Sequence, residues 1–238
     1  MQFETRRLSI RPWQVNIDAR HAMDIYGDAR VMAWVEDGGR DTSLRQVQGR
    51  LQRYRDMSIC GRKGVGSWAV EQKDIGRVVG HVMLRPLPDI KAVKTQPAAR
   101  LSEDAEERCK TSGMATDYVE IGWHFRPASW GYGYAREAAA RVVQYAFKEL
   151  RLPLLIAVTA PENRRSVALV ERLGMEYDGL TARYYGGQSL LLYKLFPAAA
   201  IALSQLEALE GQISQAQSSS QHPHSILTAS RLDSPGAL

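Results

Sequence analysis

Gly131, Gly133 and Ala135 stand at alternate positions in the segment Arg126-Pro127-Ala128-Ser129-Trp130-Gly131-Tyr132-Gly133-Tyr134-Ala135. Small residues at such a spacing let the backbone come close to an anion. A turn of this kind, leading from a strand into a helix, offers unpaired N–H groups and the positive end of the helix macrodipole. That arrangement holds a phosphate or pyrophosphate. Just upstream lie Glu120 and His124, four residues apart in a run that reads as a strand, so they share one face while Val119 and Ile121 take the other. A carboxylate and an imidazole side by side are groups that move protons, and partial desolvation raises a carboxylate pKa toward a useful range.

Two familiar phosphate cradles do not fit. A dinucleotide fingerprint would need a third glycine and an acidic residue after the following strand, and a P-loop would need Gly-Lys-Ser/Thr after the turn. The two cysteines, Cys60 and Cys109, form no C-x-x-C pair and have no histidine at metal-ligand spacing. Neither a metal site nor a disulfide framework is expected.

The elements that must position these residues follow from periodicity. Leu8 and Ile10 mark a first strand ending at Pro12. Ile17 to Tyr26 reads as a helix opened by Asn16 or Asp18, and Leu44, Val47, Leu51 and Tyr54 repeat at helical spacing behind Thr42 and Ser43. Ser67 to Gln72 and Val78 to Leu84 form a hairpin around Lys73 to Gly76. Tyr118 to Phe125 is a strand, Tyr134 to Leu150 a helix, and Leu154 to Thr159 an apolar strand covered on both faces. Glu162 to Leu173 is a helix stopped by Gly174, and strands near Met175 to Arg183 and Leu190 to Leu195 turn at Gly186-Gly187. The order βααββ, insertion, βαβαββ gives an α/β chain with a mixed sheet.

The 238 residues are 45% hydrophobic and 24% charged, an ordinary globular composition, with net charge +5. From Phe196 onward, Glu207, Glu210 and Asp233 face Arg231 alone, so that end carries −2 and the rest +7. The excess is compatible with an anionic partner but too small to argue for nucleic acid. Residues 1–195 are expected to form the folded domain, with 86–117 as an insertion or long loop. Residues 196–217 are expected to form an amphipathic helix, packing on the domain or on a partner subunit in a homodimer, and 218–238 a disordered tail. No apolar run reaches the roughly 18 to 20 residues that span a bilayer. The first eleven residues lack an apolar core between their charges, so the expectation is a cytoplasmic protein.

The Trp130-to-Ala135 segment resembles the acetyl-CoA motif of the GNAT family of N-acetyltransferases, R/Q-x-x-G-x-G/A at the head of a long helix. With Trp first, and Arg136-Glu137-Ala138 following, it is similar to the subgroup that holds the ribosomal-protein N-terminal acetyltransferases. Asn163-Arg164-Arg165-Ser166, Leu173-Gly174-Met175 and the opening Glu4-Thr5-Arg6-Arg7-Leu8-Ser9-Ile10-Arg11 are similar to further elements of that subgroup. The resemblance covers Glu4 to Leu195 apart from the insertion.

It implies a mostly antiparallel sheet flanked by helices, with one splayed parallel pair. Trp123, His124 and Phe125 would offer backbone groups to the pantetheine arm of acetyl-CoA, and the amides of Gly131, Tyr132, Gly133, Tyr134, Ala135 and Arg136 would bind its pyrophosphate. Asn163 would bond the pantetheine amide or cap its helix, with Ser166 beside it. Acetyl transfer to an amine needs a base, for which Glu120 is the first candidate and His124 the second. Many relatives carry a Tyr as general acid where this chain has Val170, which leaves the acid open between Ser166 and a water. The acceptor, a protein N-terminus or a small-molecule amine, would approach near Glu36 and Asp37. Arg45, Arg50, Arg53 and Arg55 read as a solvated face. A non-catalytic CoA-binding or protein-interaction module on the same fold is the rival reading.

Overall fold

The computed structural model describes residues 1–35, 39–60, 64–87 and 118–200. The strands are β1 (Phe3–Glu4), β2 (Leu8–Pro12), β3 (Gly66–Gln72), β4 (Arg77–Leu87), β5 (Tyr118–Phe125), β6 (Leu155–Thr159), β7 (Glu176–Thr181) and β8 (Leu190–Leu195). The helices are α1 (Val15–Tyr26), α2 (Ala29–Met32), α3 (Leu44–Cys60), α4 (Tyr134–Lys148) and α5 (Arg164–Arg172). Among the described residues these strands make one sheet in the order β1-β2-β3-β4-β5-β6-β8-β7. Every neighbouring pair is antiparallel except β5 and β6. The expected mixed α/β architecture is what forms.

Apolar periodicity explains the layers. Helix α4 turns Ala138, Val142, Val143 and Ala146 onto Val119, Ile121 and Phe125 of β5. On the opposite face α1 and α3 bring Ala22, Ile25, Val47 and Leu51 against Ala69 and Val78. Farther along that sheet, Leu87, Leu154, Ile156, Tyr184 and Leu192 form a third cluster. No helix among the described residues is long and apolar enough to cross a membrane.

Several local expectations need correction. Strand β4 runs on through Pro86 and Leu87, which pair with Val119 and Tyr118. Pairing with β3 stops at Leu84, so Pro86 removes no ladder bond on that side. Helix α1 begins two residues earlier than expected, at Val15 after Gln14; Asp18 lies inside it, accepting from the Gln14 N–H at 2.7 Å and from Arg11 at 2.8 Å. Arg50 is not on a solvated face. It is buried, with Nε 2.8 Å from Asp41 Oδ2, whereas Arg45, Arg53 and Arg55 are exposed. Thr42 and Ser43 do open α3, through a reciprocal cap in which Gln46 Oε1 accepts from the Ser43 N–H and Ser43 Oγ accepts from the Gln46 N–H. Glu36, Asp37 and Cys109 lie outside the described residues, as do most of the 86–117 segment and everything after residue 200.

Candidate active site

Strands β5 and β6 run parallel but share a single ladder pair, Glu120 with Ile156. Past it they part, β5 remaining on β4 and β6 on β8. The edge of β5 that carries Trp123, His124 and Phe125 therefore faces a gap.

At the end of β5 a short 3-10 turn, Pro127–Ser129, leads into the glycine segment. Gly131 has φ +86° and Gly133 φ +78°, both left-handed and both exposed. A Cβ on Gly131 would meet no atom within 4 Å, so the demand for glycine there is conformational and the space in front of the backbone is open. Gly133 immediately precedes α4 and caps it without a side chain, which leaves the first N–H groups of α4 available to a ligand.

The turn is braced from the N-terminal end of the chain. Glu137 accepts from Thr5 Oγ1 at 2.6 Å, from the Arg7 backbone N–H at 2.9 Å and from Arg7 Nε at 2.6 Å. Arg7 also donates to the Tyr132 carbonyl at 2.9 Å and lies 4.6 Å from the centre of the Tyr134 ring. Burial alone would raise the Glu137 carboxyl, but these donors outweigh it and hold it below the usual carboxylate range. Trp130 sends its indole N–H to the Phe125 carbonyl at 2.8 Å, and Arg165 lies 4.5 Å from the centre of its ring. Beside it a cavity of about 620 Å³ is lined by Arg30, Ala33, Trp34, Pro127, Trp130 and Arg165. Its polar margin is cationic, which suits an anionic ligand.

Glu120 and His124 do share a face of β5, the one bearing their partners across the β4 ladder, Arg85 and His81. Between them Gly122 leaves room that Met83 occupies: a Cβ there would fall 2.5 Å from Met83 Cε. Glu120 is 4% exposed, and its Oε2 accepts from Arg85 Nε at 2.9 Å and from the Tyr185 hydroxyl. The His124 Nδ1 lies 3.3 Å from His81 Nδ1. His81 is fully buried, contacts Tyr26 Oη at 3.0 Å and Ser67 Oγ at 2.6 Å, and stacks on Tyr54. Burial first, then the electrostatic influence of His124, Arg85 and Arg50, pushes its imidazole well below the ordinary histidine value.

Asn163 is the cap of α5, its Oδ1 accepting from the Ser166 N–H at 3.3 Å. Val170 is fully buried in the core shared with α4 and presents nothing to the cleft. Sequence reasoning missed Arg85 and Tyr185, and quoted Thr5, Arg7 and Glu137 without seeing that they form one clamp. The available signal for Tyr185 was a bulky residue directly ahead of Gly186-Gly187.

A family described as acetyltransferase (GNAT) domain matches residues 7–176. The chain belongs to the GNAT acetyltransferases. This GNAT chain is 33% identical over 188 residues to the uncharacterized N-acetyltransferase p20 of Bacillus licheniformis, covering 79% of this chain and 89% of p20. It is 31% identical over 114 residues to FsC-acetyl coenzyme A-N(2)-transacetylase of Aspergillus fumigatus, covering 48% of this chain and 40% of that protein. Against other curated relatives it spans about a third to a half of their length. Among solved structures, Mycobacterium smegmatis RimJ in complex with CoA-disulfide shares the GNAT fold with a TM-score of 0.61. It is 19% identical, covering 84% of this chain and 89% of RimJ.

Proposed function

We propose that this chain is an acetyl-CoA-dependent N-acetyltransferase that acylates a primary amine by direct attack in a ternary complex. The observation that carries this reading is the pairing of two features: a left-handed Gly131 and Gly133 turn at the head of α4, and the gap that opens between β5 and β6 beyond one shared rung.

The residues present fit the co-substrate. The amides from Gly131 to Arg136 would hold the pyrophosphate, helped by the positive end of α4 and the open approach at Gly131. The free edge of β5 at Trp123, His124 and Phe125 would pair with the amides of the pantetheine arm. The Phe125 carbonyl shares its capacity with the Trp130 indole. Asn163 and Ser166 would flank that arm from the start of α5. When bound, acetyl-CoA supplies the thioester that the amine attacks.

Glu120 would remove the proton of the incoming ammonium, because it is the carboxylate on the face of β5 away from Val119 and Ile121 and is already oriented by Arg85. His124, tied to the neutral His81, is the second candidate. Since neither Cys60 nor Cys109 lies in the glycine motif, the mechanism needs no acyl-enzyme. The acceptor is the N-terminal amine of a protein or a small-molecule amine.

The test is a pair of measurements. Acetyl-CoA in excess should raise the melting temperature, a saturating 100-fold over Kd being equivalent to about 2.7 kcal/mol. Release of CoA should then be followed with a peptide bearing a free N-terminal Ser or Ala, an aminoglycoside and a polyamine. An unchanged melting temperature overturns the cofactor assignment. Binding without acetylation of any of these amines favours the non-catalytic module.

A further inference from the structure

Tyr185 sits in the short turn between β7 and β8 with φ +52°, a left-handed conformation that is unusual for an aromatic residue. Gly186 and Gly187 follow with φ +70° and +84°, so three successive residues curl the same way. The curl aims a half-buried tyrosine back across the sheet, where its hydroxyl meets Glu120 Oε2 and an Arg85 guanidinium nitrogen. Arg85 completes the triangle. It stands opposite Glu120 in the β4–β5 ladder, donates Nε to the same carboxylate oxygen and lies with its guanidinium carbon 4.8 Å from the centre of the Tyr185 ring. Strained backbone held by converging polar contacts is a pattern that accompanies function.

Resting on the reading of Glu120 as base, we propose that Arg85 and Tyr185 are positioning residues that keep the Glu120 carboxylate charged and fixed in orientation. Two consequences of the geometry support this. Both donors converge on the same oxygen, Oε2, so the carboxylate is gripped at one atom by two groups. Both act from elements other than β5, so the carboxylate is braced from two sides.

Among the described residues, the charged and titratable groups near Glu120 include Arg183, Tyr184 and Tyr185 itself in the β7–β8 turn. On β4 there are Arg85 and, farther along, His81. On β5 itself Tyr118 and His124 share its face. Ile156, its partner on β6, carries no charge, and Lys194 on β8 is 2.6 Å from Asp178. A hydroxyl and a guanidinium that donate to a carboxylate stabilise its ionised form. Their removal must therefore make protonation easier.

The experiment uses the full chain labelled with carboxyl-13C glutamate, the Glu120 resonance being the one that disappears in Glu120→Gln. In Tyr185→Phe, which retains the ring beneath Arg85, the titration midpoint of that resonance should move to higher pH by about one unit. Arg85→Gln should move it farther, and Arg85→Lys should restore most of the shift. With any amine from the panel that is turned over, the acidic limb of the kcat/KM profile should move by the same amount, with KM for acetyl-CoA unchanged. Identical midpoints in wild type and Tyr185→Phe overturn the proposal. Full turnover by Glu120→Gln at all pH values instead removes Glu120 as base, and the carboxyl resonance still reports whether Arg85 and Tyr185 govern its charge.

Discussion

The Arg7 guanidinium meets the Glu137 carboxylate at 2.6 Å, tying the second strand's approach to the first turn of α4. The same guanidinium reaches the carbonyl of Tyr132, between the two left-handed glycines. One side chain thus fixes both ends of the anion-binding turn. Glu137→Ala removes the acceptor for Thr5, the Arg7 backbone and the Arg7 guanidinium together. We expect a stability loss of about 1–3 kcal/mol by urea titration, and a rise in the Kd for acetyl-CoA by calorimetry that exceeds any fall in kcat.

Because donors lower the Glu137 carboxyl in the folded state, its contribution is present above the unfolded value near 4.5 and is lost as pH falls through the folded value. Between pH 5 and pH 3 the difference in urea midpoint between wild type and Glu137→Ala should shrink.

Gly131 and Gly133 separate folding from binding. A Cβ at Gly131 meets nothing, so Gly131→Ala should cost only the left-handed backbone penalty, about 1–2 kcal/mol. The methyl group would stand in the approach to the amides. The variant should therefore fold, and its melting temperature should no longer respond to acetyl-CoA.

How much of this was legible in the chain depends on how local each feature is. The strand, turn and helix around Gly131 announce themselves because the alternation and the glycines are contiguous. Arg85 and Tyr185 could not be found that way. One reaches Glu120 through the register of an antiparallel ladder that skips 35 residues, the other from a turn 65 residues on. Arg50 was misread for a related reason: helical periodicity places it on a polar stripe, but Asp41 lies just ahead of the helix and draws it inward. The four-residue α2 and the two-residue β1 are too short to leave any periodicity. Pro86 reads as a strand breaker, and only the missing neighbour on one side of β4 makes it harmless.

The buried pair Asp41 and Arg50, with side chains 10% and 6% exposed, should be intolerant of a single change. Asp41→Ala leaves a buried cation without its carboxylate and should lower stability by about 3–5 kcal/mol, measured by chemical denaturation.

His81 predicts a dependence on pH of the opposite origin to that of Glu137. Burial depresses its folded-state value, so the unfolded chain takes up a proton first as the pH falls below the ordinary histidine value near 6.5. Stability is then complete above that value and declines below it, by about 1.4 kcal/mol between pH 7.5 and pH 5.5 if the folded imidazole stays neutral throughout. His81→Gln should flatten that slope in urea titrations. An equal slope in both proteins would place the proton uptake elsewhere.

The single rung between Glu120 and Ile156 has a mechanical consequence. A sheet transmits load through its crossbars, and here the five strands on one side and the three on the other are riveted at one point of their common edge. Sliding along that seam is resisted by the packing of Leu87 and Tyr118 against Leu154 and Ile156 rather than by the ladder. A ligand lying in the seam would serve as a splint, so loading the cleft should be felt as added rigidity in β6 and β8, well away from the anion turn.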